Sequence, residues 1–124
     1  MKADKKRTEA YYAALAEGEL CHCAYCRNFY ARVKAAYPLT VVFLAELGAD
    51  IEKPLETMPL EPENGFLEYC AQYLVFGECE DDFSFENGET ECRKAVSHPS
   101  IEAEEPYFVL ECFGVTLRFE EEGL

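Results

Sequence analysis

The hydrophobic pattern of this chain changes period once, and that change limits the fold more than any other feature. Up to Gly48 the apolar residues recur every three or four positions, whereas after Asn64-Gly65 they alternate. A period near 3.6 buries one face of a helix, and a period of 2 buries one face of a strand. Helices first and antiparallel strands afterwards predict an α+β fold, with N-terminal helices packed on a C-terminal antiparallel β-sheet. The 124 residues lie near the usual size of one domain, and no repeat, low-complexity tract or Gly/Ser linker interrupts them. A single globular domain over 1–124 is the expectation.

Within the first part, Ala10, Tyr11, Ala14 and Leu15 fall on one helical face, and Gly18 follows as a stop. A second helix fits Ala24 to Ala36, with Tyr25, Phe29, Val33 and Ala36 inward. Pro38 suits the first turn of a third helix that turns Leu39, Val42, Phe43 and Leu47 inward and ends at Gly48. Pro54, Pro59 and Pro62 make the stretch from Ala49 to Asn64 read as an irregular covering loop, pinned across the core by Leu55, Met58 and Leu60.

Leu67, Tyr69, Ala71, Tyr73 and Val75 then share one face of a long strand that Gly77 ends. A second long run spans Tyr107 to Glu120, and the Phe113-Gly114 step inside it reads equally well as a hairpin turn or a bulge. Phe83 and Phe85 before Asn87-Gly88 suggest a further short hairpin.

Charge narrows the classes of partner. The net charge is −14, and it is uneven: the first 37 residues hold seven basic and four acidic side chains, the remainder four basic and twenty-one acidic. Such a field repels nucleic acid and anionic membranes, so neither is an expected partner despite Lys5, Lys6, Arg7, Arg27, Arg32 and Lys34 with tyrosines nearby. No apolar run is long enough to cross a bilayer, and the charged start leads into Thr8-Glu9-Ala10-Tyr11 rather than an apolar signal core. The expectation is a soluble, cytoplasmic chain. In that compartment seven cysteines are thiols or metal ligands, and an odd number does not close into disulfides.

The densest chemical cluster is Cys21-His22-Cys23-Ala24-Tyr25-Cys26, placed just before a helix. Thiolates at C-x-C-x-x-C spacing can meet on one tetrahedral zinc, and free amides at a helix start favour the thiolate form. Cys21, Cys23 and Cys26 are therefore the candidate metal ligands and zinc the expected ion. A closed structural site needs a fourth ligand, for which Cys79, Cys92 and His98 are the candidates. Against this stand two other readings: small buried thiols, and redox chemistry at Cys23-Ala24-Tyr25-Cys26. The redox reading lacks the strand that leads into a thioredoxin-type motif, because Tyr11 to Glu19 reads as helix. Cys70 and Cys112 lie inside strands and read as packing.

No phosphate-binding glycine loop, dinucleotide fingerprint, zinc-protease helix or nucleophile elbow occurs in the chain. His98, between Ser97 and Pro99, reads as a turn residue rather than a catalytic base. The acidic stretch from Glu78 to Glu91 lacks the ligand spacing of a calcium loop. The function expected is thus a non-enzymatic acidic domain stabilised by structural zinc. The alternatives are an acidic module that docks a basic protein through carboxylates and Phe83 and Phe85, and a thiol redox protein.

Overall fold

The computed structural model describes residues 1–119. In chain order these form β1 (Lys2–Ala3), α1 (Lys5–Ala14), a 3₁₀ turn (Glu17–Glu19), α2 (Ala24–Ala36), α3 (Pro38–Glu46), β2 (Glu56–Pro59), β3 (Phe66–Glu78), β4 (Ser84–Glu86), β5 (Glu91–Lys94) and β6 (Tyr107–Arg118). The fold is mixed α+β, and its six strands pair antiparallel in the order β1-β3-β6-β5-β4, with β2 on β3 beside β1. Glu120, the last residue of the expected final strand, lies outside the described residues.

The three helices form where periodicity placed them, and each turns inward only some of the residues expected: Tyr11 and Leu15 on α1, Phe29 and Val33 on α2, and Phe43 on α3 with Leu47 just after it pack on the core. On α1 the buried residues are Thr8 and Tyr12, while Ala10 and Ala14 are exposed. Polar groups set this rotation: the Thr8 hydroxyl donates to the Asp4 carbonyl at 2.8 Å and accepts from the Phe76 amide at 3.0 Å. The Tyr12 hydroxyl donates to the Leu74 carbonyl at 2.8 Å. Lys53, from a distant loop, caps the end of this helix by donating to the Tyr12 and Leu15 carbonyls at 2.8 and 3.1 Å. On α3, Thr40 and Leu44 face inward, and Leu39 and Val42 are exposed. That helix is apolar on nearly every side, so its pattern defines no inner face; the Thr40 hydroxyl, 2.9 Å from that of Thr90, sets it instead. On α2 the inner face is Cys26, Phe29 and Val33, with Tyr25 and Ala36 exposed.

Three strand expectations change. A strand, β1, precedes the helices, and Gly77 does not end β3: it is where β1 docks. A Cβ on Gly77 would come within 2.0 Å of the Lys2 carbonyl oxygen, and its φ of +125° suits only glycine. The proline-rich stretch is not wholly irregular, because Glu56–Pro59 pairs with Tyr69–Gln72 as β2. Pro59 closes that short strand at the sheet edge, a position where a missing donor is tolerated. Ala49, Ile51 and Pro54 are the buried residues of that stretch, Leu55 and Met58 are half-buried, and Leu60 is exposed. Phe113-Gly114 is a bulge: Tyr69 faces Val115 and Ala71 faces Cys112, so β6 carries one residue more than β3, with Gly114 at φ +84°.

The main core lies between the helices and the inner sheet face, where Tyr12, Phe29, Val33 and Leu44 meet Leu67, Tyr69, Ala71, Tyr73, Val115 and Leu117. Each fully buried Val, Leu or Phe among them contributes about 1.5–3 kcal/mol. Alternation along β3 stops after Ala71, because Leu74 and Phe76 on its outer face are also buried, beneath Ile101, Ala103 and Tyr107.

Candidate metal centre

The C-x-x-C spacing has a structural meaning at the start of α2. Cys23 is the N-cap and Cys26 lies three residues on, so the Cys23 thiol accepts from the Cys26 amide at 3.4 Å. This is the role Ser or Asp commonly plays at a helix start. Cys21 is held two residues earlier, its carbonyl accepting from the Tyr30 hydroxyl at 2.9 Å. The three Sγ atoms lie within 4.8 Å of one another. Thiolates sharing one zinc at about 2.3 Å stand about 3.8 Å apart, so the trio lies within the distance range of a shared ion.

The sheet anchors this helix start. The Tyr69 hydroxyl on β3 donates to the Tyr25 carbonyl at 2.7 Å, and the Asn28 amide donates to the Tyr69 hydroxyl and the Arg118 carbonyl at 3.2 and 2.9 Å. Thr57 on β2 places its hydroxyl 3.1 Å from Cys26 Sγ. No motif flags Thr57 or Tyr69, since each meets the cluster through tertiary packing alone, whereas Tyr30 lies one turn after Cys26 on α2.

The three thiols are not equivalent. Cys21 and Cys23 are exposed and Cys26 is buried, so packing as small apolar side chains accounts for Cys26 alone. Burial opposes ionisation of Cys23, but bonds from the Cys26 amide, the Cys26 and Cys21 thiols and the Tyr25 amide outweigh it and lower its pKa. Burial pushes the Cys26 thiol up to about 12, partly offset by the Thr57 hydroxyl. A bound cation would supply the charge that Cys26 needs to ionise.

The fourth-ligand candidates sit elsewhere. Among the described residues no further His, Cys, Asp or Glu belongs to the trio's group. Cys92 is buried against Cys112, with 2.9 Å between the sulfurs. Cys79 follows β3 near the N-terminus, whose ammonium bonds Glu80 at 2.6 Å. His98 is exposed at a turn, its Nδ1 2.9 Å from the Pro99 carbonyl. His22 lines an open groove of about 550 Å³ beside the trio, with Arg27, Tyr30, Asp50 and Lys53.

The thioredoxin-type context is missing in the structure as in the sequence: α1 and a 3₁₀ turn precede the cluster, and every strand pairing among the described residues is antiparallel. No helix among the described residues is long and apolar enough to cross a membrane. Comparison with protein-family models, curated proteins and solved structures finds no match to this chain.

Proposed function

We propose that this chain is a non-enzymatic domain in which Cys21, Cys23 and Cys26 hold one zinc ion. The ion fixes the turn that leads into α2, whose link to the sheet is the Thr57 hydroxyl on Cys26, and its fourth position is filled by a ligand from outside the trio. The supporting observation is the convergence of three sulfurs within 4.8 Å at a capped helix start, two of them exposed, where burial of thiols offers no gain. Thr57 then holds Cys26 from the sheet side, as groups bonded to metal ligands do. Elemental analysis of freshly purified protein should find about one zinc per chain, lost in Cys23→Ser. A strong chelator should lower the melting temperature, because metal binding energy becomes folding energy. Protein purified under reducing conditions, without chelator, that carries no metal would falsify the site. A melting temperature indifferent to the chelator would remove the structural role while keeping the site.

A second reading, as an acidic docking module, is favoured by one surface. Leu39, Val42 and Phe85 are 52%, 54% and 44% exposed. Phe85 stacks on Phe43 at 5.0 Å, and Leu39 lies against Gly88. Phe83, by contrast, packs against the core. Exposed Asp81 and Asp82 lie just before β4 and exposed Glu86 ends it, and β4 pairs with β5 alone among the described strands. The occupant that matches is a basic, partly apolar segment adding along β4. A fluorescent peptide alternating lysine and leucine should bind, weaken with salt, and fail to bind the Leu39→Ser/Val42→Ser variant. Unchanged affinity in that variant would reduce the effect to general attraction toward an acidic surface.

A further inference from the structure

A second thiol group lies in the interior, apart from the trio. Cys92 on β5 and Cys112 on β6 are paired directly across the ladder, 0% and 1% exposed, with sulfurs 2.9 Å apart. The ladder fixes which kind of pair this is. The Ala95 amide donates to the Val109 carbonyl at 2.8 Å, and Ala95 and Val109 stand three residues from Cys92 and Cys112 along their strands, so the cysteines occupy a non-hydrogen-bonded position. There opposed Cα atoms approach to about 4.5 Å and their side chains lean together, inside the roughly 4.4–6.8 Å span that a disulfide bridges. The Thr90 hydroxyl lies 3.9 Å from the Cys92 sulfur.

We propose that Cys92 and Cys112 form a pre-aligned oxidation site, which a small disulfide oxidant of the glutathione type converts into a cross-strand disulfide joining β5 to β6. One cysteine, as thiolate, attacks a sulfur of the oxidant and expels one thiolate. The second cysteine, as thiolate, attacks the resulting mixed disulfide and expels the other. Two protein thiols are oxidised to one S–S bond, the oxidant disulfide is reduced to two thiols, and the two protein protons go to those thiols. The pair supports the first step, because the Cys112 thiol bonds Cys92 and lowers its pKa against the opposing effect of burial.

Burial makes the reaction gated. The oxidant reaches the sulfurs only when the β4–β5 hairpin lifts from α3, which is held by the Thr40–Thr90 hydroxyl contact at 2.9 Å and by the Glu89 carboxylate accepting from the Thr40 amide at 2.8 Å. The inference does not depend on zinc at the trio.

The test uses the full chain, refolded from urea in a glutathione redox buffer, blocked with iodoacetamide and digested without reduction. Mass spectrometry should find the Cys92 peptide joined to the Cys112 peptide, and the joined protein should unfold at higher urea than the reduced one. In native protein treated with oxidised glutathione, Thr40→Val should form the same link faster. Recovery of Cys92 and Cys112 as separate alkylated peptides after oxidative refolding, or linkage of either to Cys70, overturns the proposal. Repeating the mapping in a Cys21→Ser/Cys23→Ser/Cys26→Ser variant keeps it separate from the metal reading, since the Cys92–Cys112 link should persist there.

Discussion

The start of α2 and the β5–β6 ladder both gather cysteines, and they do so by opposite means. At α2, two of the three thiols face water and their nearness comes from helix-capping geometry. On the ladder both thiols are buried, and their nearness comes from strand register. Sulfur close to sulfur is therefore not one signal. Exposed, converging thiolates at a helix start suit a soft cation, whereas two neutral thiols opposed in an apolar interior suit a bond to each other.

The largest expected effect tests whether the exposed trio borrows its geometry from the core. Phe29 is fully buried one turn beyond Cys26, with its ring 5.2 Å from that of Tyr69. Phe29→Ala should cost about 3–5 kcal/mol by urea denaturation and weaken zinc binding as well. Retained zinc affinity in a chain that has lost this much stability would show that the cluster is locally set and needs no core.

Next is the hairpin over the ladder. Thr40→Val removes the 2.9 Å partner of the buried Thr90 hydroxyl, which keeps its bond from the Asn87 side-chain amide at 3.0 Å, so the loss should cost about 0.5–1.5 kcal/mol. In metal-free protein it should raise the alkylation rate of Cys92 while leaving that of Cys23 unchanged. Equal acceleration at both sites would mean that the two thiol groups open in one global event rather than separately.

The smallest effect concerns the link between sheet and trio. Thr57→Val removes the hydroxyl 3.1 Å from Cys26 Sγ. It should change the stability of metal-free protein by about 1 kcal/mol or less and lower zinc affinity on the order of 10-fold. A zinc affinity that does not move would confine the site to α2 and the residues just before it.

Much of the fold was legible because it rests on local periodicity. The span of α2 from Ala24 to Ala36 and the start of α3 at Pro38 match the expectation, and the hairpin around Asn87-Gly88 forms as β4 and β5. Rotation of the helices was legible only in part: Tyr11, Leu15, Phe29, Val33, Phe43 and Leu47 pack on the core as expected, whereas Ala10, Ala14, Tyr25, Ala36, Leu39 and Val42 are exposed. An alanine-rich or uniformly apolar surface leaves the inner face to long-range hydroxyl bonds such as Thr8 to the Phe76 amide and Thr40 to Thr90. β1 and β2 were missed because a strand of two or four residues carries too few alternations to read and exists through its pairing with β3.

The cysteine cluster divides along the same line. By itself the sequence determined that Cys21, Cys23 and Cys26 sit at a helix start, since cap spacing is a property of a few consecutive residues. It also determined the acidic field, which is a sum over side chains. Tertiary structure alone decided that Thr57 and Tyr69 brace the trio, that Cys79, Cys92 and His98 stand apart from it, and that Cys92 meets Cys112. The contacts among these join residues from 20 to 44 positions apart, and no local pattern encodes a contact that strand register and the closing of the core create.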